Sequence, residues 1–407
     1  EYNCEGDPKY LTTAPLTGSQ STAGVFYSES TTDLEDVNNR WANRDGTGTN
    51  PANFTQEDKQ YVIEDDGSST AAAWTVSGTN SKVIIETGIG LTVTNGNTVT
   101  ASIELEGTGA ITIDDGTNPT LSVISSTSTV TYSTNAASIE TTTYGNLVID
   151  KALSLSGDIT VSGALTLNDV LTLDGNILTL DGTIAGASTI SGSNASDIII
   201  GGTGALGTIQ FTTGNELLEN LTINRTTSGT VTLGSDLTIG GATSGTGVLT
   251  LTDGSIDLNG NTLSFSNSST SIATGTITGS NTAIIIINGT GTFGDGLAMD
   301  QTSAITRTLR TLDFDRLGQD IVLASDLTIS NSMISRNGSC SIGANTLLLE
   351  GDYTSTSGDL KGTILSNLTI NGLNPITSAI VFDLGANNLG TLTMNRGSET
   401  LTLGTDL

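Results

Sequence analysis

The chain has 407 residues, of which 42 are acidic and 13 basic, so its formal net charge at pH 7 is −29. This excess of negative charge repels phosphate backbones and anionic lipids, which argues against a nucleic-acid partner. The chain has no histidine, the commonest general base and metal ligand, and its longest apolar run, AIIII at 283–287, is too short for a membrane helix. We therefore identify no catalytic, cofactor-binding or metal-binding residue.

The first 80 residues differ in composition from the rest. Eight of the sixteen aromatic residues lie before residue 75, and such a segment is able to pack a small core of its own. The exposed first coil of a repeat array needs a cover. We therefore predict an N-terminal arm and a cap or docking module at 1–80, followed by a repeat array at 81–407. The eight aromatic residues are Tyr2, Tyr10, Phe26, Tyr27, Trp41, Phe54, Tyr61 and Trp74.

One short phrase recurs along the rest of the chain at uneven intervals. Its spacing is consistent with multiples of a coil of roughly 18–25 residues, the size of one solenoid turn. Hydrophobic residues make up 35% of the chain and aromatics 4%, which suits small aliphatic side chains stacked in ladders. The copies are NLVID at 146–150, NLTIN at 220–224, TLDFD at 311–315, NLTIN at 367–371 and TLTMN at 391–395.

Within each unit, apolar and hydroxylic residues alternate with the period of two that is typical of strands. In VLTLTDG at 248–254, Leu249 and Leu251 share one face, and Asn, Asp and Gly turns such as DGN at 174–176 separate the strands. The same alternation could form an antiparallel sandwich, but the recurrence of similar units favours stacked coils. The pattern therefore predicts an all-β fold, a parallel β-helix or β-solenoid, which we expect to be right-handed.

Two other functional classes also occur on β-solenoid folds. Polysaccharide lyases and hydrolases of the β-helix type need clustered carboxylates with basic partners, and the local acidic pairs are Asp65–Asp66 and Asp114–Asp115. Each pair is followed by glycine, which indicates a turn. An ice-binding solenoid needs threonine rows in register, and the changing unit lengths predict that such rows are lost. We therefore expect no enzyme, and the lyase and ice-binding readings remain as alternatives.

Two stretches resemble a known family. One is the segment 24–85, which opens GVFYSESTTDLEDVNNRWANRDGTGTNP. The other is the segment 221–267, which contains LTIN, VTLGSDLTI and GVLTLTDGSIDLNGNTLSFSN in turn. Both are similar to large secreted repeat proteins of Bacteroidota bacteria. The resemblance implies β-solenoid repeats, export by the type IX route and adhesive roles at the cell surface. It also implies an extracellular location. The chain begins at Glu1 without an apolar leader, which agrees with a signal peptide already removed.

The last phrase copy is followed by a strand pattern at the end of the chain. We predict an assembly edge here, because an uncovered coil leaves backbone hydrogen bonds unmade. Its residues are Thr400, Leu401, Thr402, Leu403 and Leu407. A contact between this edge and the N-terminal module of another copy would propagate into a filament. A disulfide between Cys4 and Cys340, within one chain or between copies, is the accompanying prediction, with two free thiols as the alternative.

The sequence therefore predicts a secreted structural protein, a subunit of an extracellular filament or surface adhesin that assembles head-to-tail with copies of itself. Surface glycans or other cells are further candidate partners. Turnover of an acidic polysaccharide would favour the enzyme instead.

Overall fold

Both compact units of the chain are built from strands and turns. The computed structural model describes residues 24–407 apart from 30, 39, 40, 228, 242–246, 373–375, 398, 399 and 406. Chain contacts divide the protein into residues 1–123 and 124–407. The described residues contain no helix, and their strands pair in parallel with the strands of neighbouring coils, with one antiparallel exception. The predicted all-β parallel solenoid is confirmed. The hand of the coiling stays a prediction.

The first unit stacks coils from residue 25 onward. One sheet has the order β11-β9-β6-β3-β1-β2, a second contains β4, β7 and β10, and a third pairs β5 with β8. The short strand β2 runs antiparallel to β1 and forms the edge of its sheet. The strands are β1 Val25–Ser28, β2 Trp41–Ala42, β3 Gln60–Ile63, β4 Ser68–Ser69, β5 Trp74–Thr75, β6 Lys82–Ile85, β7 Gly90–Val93, β8 Val99–Thr100, β9 Ser102–Leu105, β10 Ala110–Ile113 and β11 Thr120–Ile124.

The predicted aromatic core of the N-terminal segment is present among its described members. Trp41 packs edge-on against Phe54 and Tyr61 and lies 5.7 Å from Trp74, ring centre to ring centre. The Trp41 indole N–H donates to the Leu34 carbonyl at 2.8 Å, so its polar edge is satisfied in the core. Parallel pairing of β1, β3 and β6 runs through this segment, and the division at residue 80 stays a prediction. Tyr2 and Tyr10 lie outside the described residues.

The described residues of the second unit form thirty strands, which pair in several parallel sheets. Its sheets are β12-β14-β17-β20, β13-β16-β19-β22-β25-β28-β31, β15-β18-β21, β23-β26-β29-β32 and a long sheet from β24 to β41. The strands are β12 Thr129–Tyr132, β13 Thr143–Tyr144, β14 Asn146–Ile149, β15 Leu153–Ser154, β16 Ile159–Val161, β17 Ala164–Leu167, β18 Leu171–Thr172, β19 Ile177–Leu180, β20 Thr183–Gly186, β21 Ile190–Ser191, β22 Asp197–Ile200, β23 Gly207–Ile209, β24 Leu217–Leu218, β25 Asn220–Asn224, β26 Thr230–Leu233, β27 Leu237–Ile239, β28 Gly247–Asp253, β29 Ser255–Asp257, β30 Thr262–Ser266, β31 Ser268–Ile272, β32 Thr276–Thr278, β33 Ser280–Asn288, β34 Thr308–Val322, β35 Leu327–Ser341, β36 Thr346–Leu349, β37 Asp352–Ser355, β38 Asp359–Gly362, β39 Asn367–Ile370, β40 Phe382–Asn387 and β41 Thr391–Met394.

Aliphatic ladders form the core of the second unit. Leu178, Ile198, Leu221 and Leu249 occupy matching positions on four successive strands and are fully or almost fully buried. Alternate residues of the same strands face outward, as the period of two predicts. Each buried leucine or isoleucine contributes about 1.5–3 kcal/mol by leaving water, so the ladders supply the main cohesion between coils.

Turns absorb the differences in coil length. Paired coils are 18 residues apart in sequence where the Asn146 side-chain oxygen accepts a hydrogen bond from the Ala164 N–H. They are 28 residues apart where the Asn220 side-chain oxygen accepts from the Val248 N–H. In the DGN turn, Asp174 and Gly175 both have positive φ, and the Asn176 N–H donates to the Leu173 carbonyl at 3.0 Å. Extra residues therefore enter the turns in many coils, while the register of the strands shifts at irregularities such as the one between Leu309 and Thr311.

Candidate functional site

The end of the long sheet exposes core positions that are buried in the coils before it. We call residues 391–397 and 400–405 the terminal coil. Leu392 continues the ladder of Leu347 and Leu368, which are both 0% exposed, yet Leu392 itself is 40% exposed. Met394 continues the adjacent ladder of Leu349 and Ile370, and is 38% exposed. In the described part of the chain, no strand covers the far side of this coil.

The predicted edge residues belong to the terminal coil or follow it. Leu403 forms a parallel bridge with Ile380, whose N–H donates to the Thr402 carbonyl at 2.9 Å. Thr400, Thr402, Leu403 and Leu407 are exposed and Leu401 is half-buried. Thr402 and Leu403 thus contact the coil at 380 on one side. Their role in assembly stays a prediction.

Exposed apolar side chains also occur on the coils just before the terminal coil. Ile364, Leu365 and Leu384 are 76%, 63% and 83% exposed. With Leu392 and Met394, these side chains place several exposed apolar groups near the end of the long sheet, beside a strand edge that no other described strand pairs.

Cys340 belongs to the core of the second unit. It lies in register with Ile321 and Leu360 on neighbouring coils and is 0% exposed. Burial raises the pKa of the Cys340 thiol to about 12. Its predicted partner, Cys4, lies outside the described residues, so the disulfide stays a prediction. A bond from Cys340 to another copy would require its sulfur to leave the core.

Two buried groups predict that the folded chain loses stability at alkaline pH. Burial raises the pKa of Tyr132 to about 12, as it does for the Cys340 thiol. Each group keeps its proton more tightly in the folded chain, so its stabilising contribution is complete below the unfolded pKa and is lost as the pH rises towards 12. We expect the melting temperature to fall between about pH 9 and pH 12. Melting curves of the whole chain measure this fall.

Thiol labelling checks the same burial at neutral pH. In a Cys4→Ser variant, Cys340 should react with a thiol reagent only after the chain is unfolded in denaturant, because a buried protonated thiol is a poor nucleophile. Rapid labelling of the folded variant would contradict the placement of Cys340 in the core.

Of the acidic pairs considered for catalysis, Asp65, Asp66 and Asp115 lie in turns or bends, and Asp114 directly follows β10. Asp66 accepts hydrogen bonds from the backbone N–H groups of Gly67 and Gly90, 2.9 and 3.1 Å away. Asp115 accepts from Gly96 and Thr117 at 2.8 and 2.9 Å. Burial opposes ionisation of Asp115, but these hydrogen bonds outweigh it and lower the pKa of its carboxyl group. The second aspartate of each pair therefore links neighbouring coils.

The expectation that threonine rows lose register is wrong for one face. Thr143, Thr160 and Thr179 stand opposite one another on successive strands, and Thr222 and Thr250 continue the row beyond Ile199. The row survives because unequal coil lengths are taken up in the turns. Asp158, Asp197 and Asn220 flank the row with carboxylate and amide groups, so the face carries charge as well as hydroxyls.

Sequence reasoning missed two groups of residues. Leu392 and Met394 belong to the last phrase copy, and aligning TLTMN with NLTIN would have placed both on the ladders of the core. The second group consists of Arg225, Arg316 and Arg396, which are buried. Each directly follows a phrase copy, which is the signal that could have identified them.

The described residues bring together no group of three or more Asp, Glu, His or Cys side chains suited to a metal ion. They also form no helix long and apolar enough to pass through a bilayer. No protein-family model, curated protein or solved structure matches the chain significantly. The resemblance to secreted repeat proteins of Bacteroidota therefore stays an expectation, beside a β-solenoid fold that the structure establishes.

Proposed function

We propose that the chain is a secreted structural protein that assembles head-to-tail into an extracellular filament or surface adhesin. The observation that carries the proposal is the exposure of Leu392 and Met394 at ladder positions that are buried on the preceding coils. Covering two such side chains is worth on the order of 1 kcal/mol each, and pairing the free edge of β41 adds hydrogen bonds. The occupant that we assign to this surface is the N-terminal module of a second copy.

Head-to-tail contact follows from the difference between the two ends of the sheets. The edge of β1 is already paired with β2, whereas β41 pairs with β39 alone among the described strands. When two copies join through unlike surfaces, the pair still has one free terminal coil and one free N-terminal module. Further copies can therefore add at both ends of a filament. The acidic surface elsewhere would keep growing filaments apart laterally. Extracellular location, adhesion and glycan partners are parts of this proposal that the resemblance supports.

A pair of charge-introducing variants tests the proposal. Leu392→Asp with Met394→Asp puts two carboxylates on the terminal coil, where both side chains are partly exposed, so the single chain should still fold. Light scattering should show that the mass of the unaltered protein rises with concentration, while the mass of this variant stays that of one chain. Desolvating the new charges in the contact disfavours association.

The matched control is Ile305→Asp with Leu317→Asp. These side chains are 68% and 78% exposed and lie away from the terminal coil in sequence, and the control adds the same two charges. It should associate like the unaltered protein. Equal association of both variants, or a single-chain mass for the unaltered protein at every concentration, would contradict the proposal. A species that stops at two chains would instead indicate two terminal coils in contact with each other.

A further inference from the structure

Three buried arginines occupy equivalent places in the second unit. Arg225, Arg316 and Arg396 are 1%, 0% and 4% exposed. Each follows the last residue of a phrase copy, in NLTIN-Arg, TLDFD-Arg and TLTMN-Arg. Arginine is almost never fully buried without partners, so each guanidinium must have a prepared environment. That environment is made of backbone carbonyls from earlier coils.

The site around Arg225 is the most complete of the three. Its Nε donates to the Gly204 carbonyl at 2.6 Å, and one terminal nitrogen donates to the carbonyls of Gly182 and Thr203 at 2.7 and 2.9 Å. The other terminal nitrogen donates to the Gly201 carbonyl. Residues 201–204 lie one coil before Arg225, and Gly182 lies two coils before it. One side chain therefore joins three successive coils.

Arg316 repeats this arrangement with different residues. One terminal nitrogen donates to the carbonyls of Gly291 and Thr292, one coil earlier, at 3.0 and 3.2 Å. The other donates to the Ser268 carbonyl, two coils earlier. Its guanidinium carbon lies 5.2 Å from the centre of the Phe293 ring, a cation–π contact. Among the described residues, Arg316 forms no ion pair.

Arg396 shares the contact to the coil two turns back, because its terminal nitrogen donates to the Gly351 carbonyl. Gly182, Ser268 and Gly351 are equivalent positions, since each lies two residues after a strand of the coil two turns before its arginine. The acceptors thus recur at one place in the fold even though the coil lengths differ. A chance contact would not recur in this way.

The glycines of the Arg225 site leave room for the cation. A Cβ on Gly202, which has positive φ, would lie 1.9 Å from the Asp181 carbonyl oxygen, and a Cβ on Gly229 would lie 2.7 Å from Cγ of Arg225. Larger residues would therefore close the site. Lys151, which also follows a phrase copy, makes a simpler contact, in which its ammonium donates to the Ala136 carbonyl at 2.9 Å.

The acceptors define the chemistry of the ligand. They are neutral oxygens spread around a planar group, and a guanidinium presents five N–H donors in a fixed fork, whereas an ammonium is a compact point charge. Burial lowers the pKa of Arg316 to about 10, so the side chain remains a cation at neutral pH. In Arg316 the carbonyl oxygens accept from both terminal nitrogens, and at Arg225 the charge of Asp181 also favours the cation.

We propose that the carbonyl groups of two successive coils form guanidinium-binding sites, which the chain fills with an arginine from the third coil. A site emptied of its arginine side chain should accept a free guanidinium ion from solution. An arginine in such a site joins three coils. Its guanidinium binds carbonyl groups of two successive coils, and its own backbone belongs to the third. This inference does not depend on how the terminal coil is covered.

Chemical rescue of the full chain tests the proposal. Arg316→Ala empties the site, and we expect its melting temperature to fall by several degrees because the carbonyls of Ser268, Gly291 and Thr292 lose their donors. Guanidinium chloride at concentrations well below denaturing should recover part of this loss with saturation, at constant ionic strength. Urea, the neutral analogue, and ammonium should not. The unaltered protein should show only a loss of stability with guanidinium.

A matched variant separates site binding from general solvent effects. Arg316→Met also removes the donors but fills the space with an apolar chain, so guanidinium should not rescue it. Arg396→Ala gives a second test near the end of the sheet if Arg316→Ala fails to fold. Equal responses of the alanine and methionine variants, or responses equal to that of the unaltered protein, would overturn the proposal.

Discussion

Gly182→Ala should destabilise the second unit by about 3 kcal/mol, as expected for overpacking at a site that cannot relax. Gly182 stacks on Gly163, which stacks on Gly145, and these three glycines form a column at one corner of the coils. A Cβ on Gly182 would lie 1.7 Å from the Gly163 carbonyl oxygen, a backbone atom that moves only if the coils separate. The melting temperature and the midpoint of urea unfolding measure the loss.

The control for this prediction is Gly116→Ala, because a Cβ on Gly116 meets nothing within 4 Å and its φ is not positive. We expect its unfolding midpoint to equal or slightly exceed that of the unaltered protein, since alanine restricts the unfolded chain. Midpoints suit a long repeat array better than extrapolated free energies, because such arrays depart from two-state unfolding. A tolerated Gly182→Ala would mean that the coils are not this close.

Leu368→Ala should cost about 3 kcal/mol, within the usual range for a leucine removed from a packed core. Leu368 is 0% exposed and lies between Leu347 and Leu392 in one ladder. The same change at Leu392, which is 40% exposed, should cost about 1 kcal/mol or less. The two variants remove the same atoms from neighbouring rungs, and thermal melting of each at low protein concentration measures the difference.

Protein concentration makes this comparison more informative. If another copy covers the terminal coil, Leu392→Ala should become more destabilising relative to the unaltered protein as concentration rises, because association stabilises the folded chain. Leu368→Ala should show no such additional dependence. Equal costs for the two variants at low concentration would contradict the register of β39 with β41.

The fold was predictable because its main signal is local. Alternation in segments such as VLTLTDG places Leu249 and Leu251 in the core, and the structure buries both. Recurrence of the phrase favoured stacked coils over a sandwich, which the parallel pairing of Asn220–Asn224 with its neighbours confirms. Strand register, by contrast, depends on which residues lie in turns. The sequence pattern therefore did not show that Thr160 and Thr179 would stay aligned.

The arginine sites were harder to predict, because arginine side chains usually lie at the protein surface. Burial of Arg225 depends on carbonyls from two earlier coils, and these become neighbours only after the chain has coiled. The predicted assembly edge, Thr400, Leu401, Thr402, Leu403 and Leu407, rests on the strand pattern after the last phrase copy and on the unmade hydrogen bonds of an uncovered coil. Exposure of Leu392 and Met394 depends on what lies beyond them along the stack, which no local pattern records.

Electron microscopy of the native, full-length protein at increasing concentration tests the head-to-tail proposal most directly. We expect linear assemblies with a constant subunit repeat, in which the terminal coil of each copy contacts the N-terminal module of the next. Single particles at every concentration, or pairs joined through two terminal coils, would contradict it.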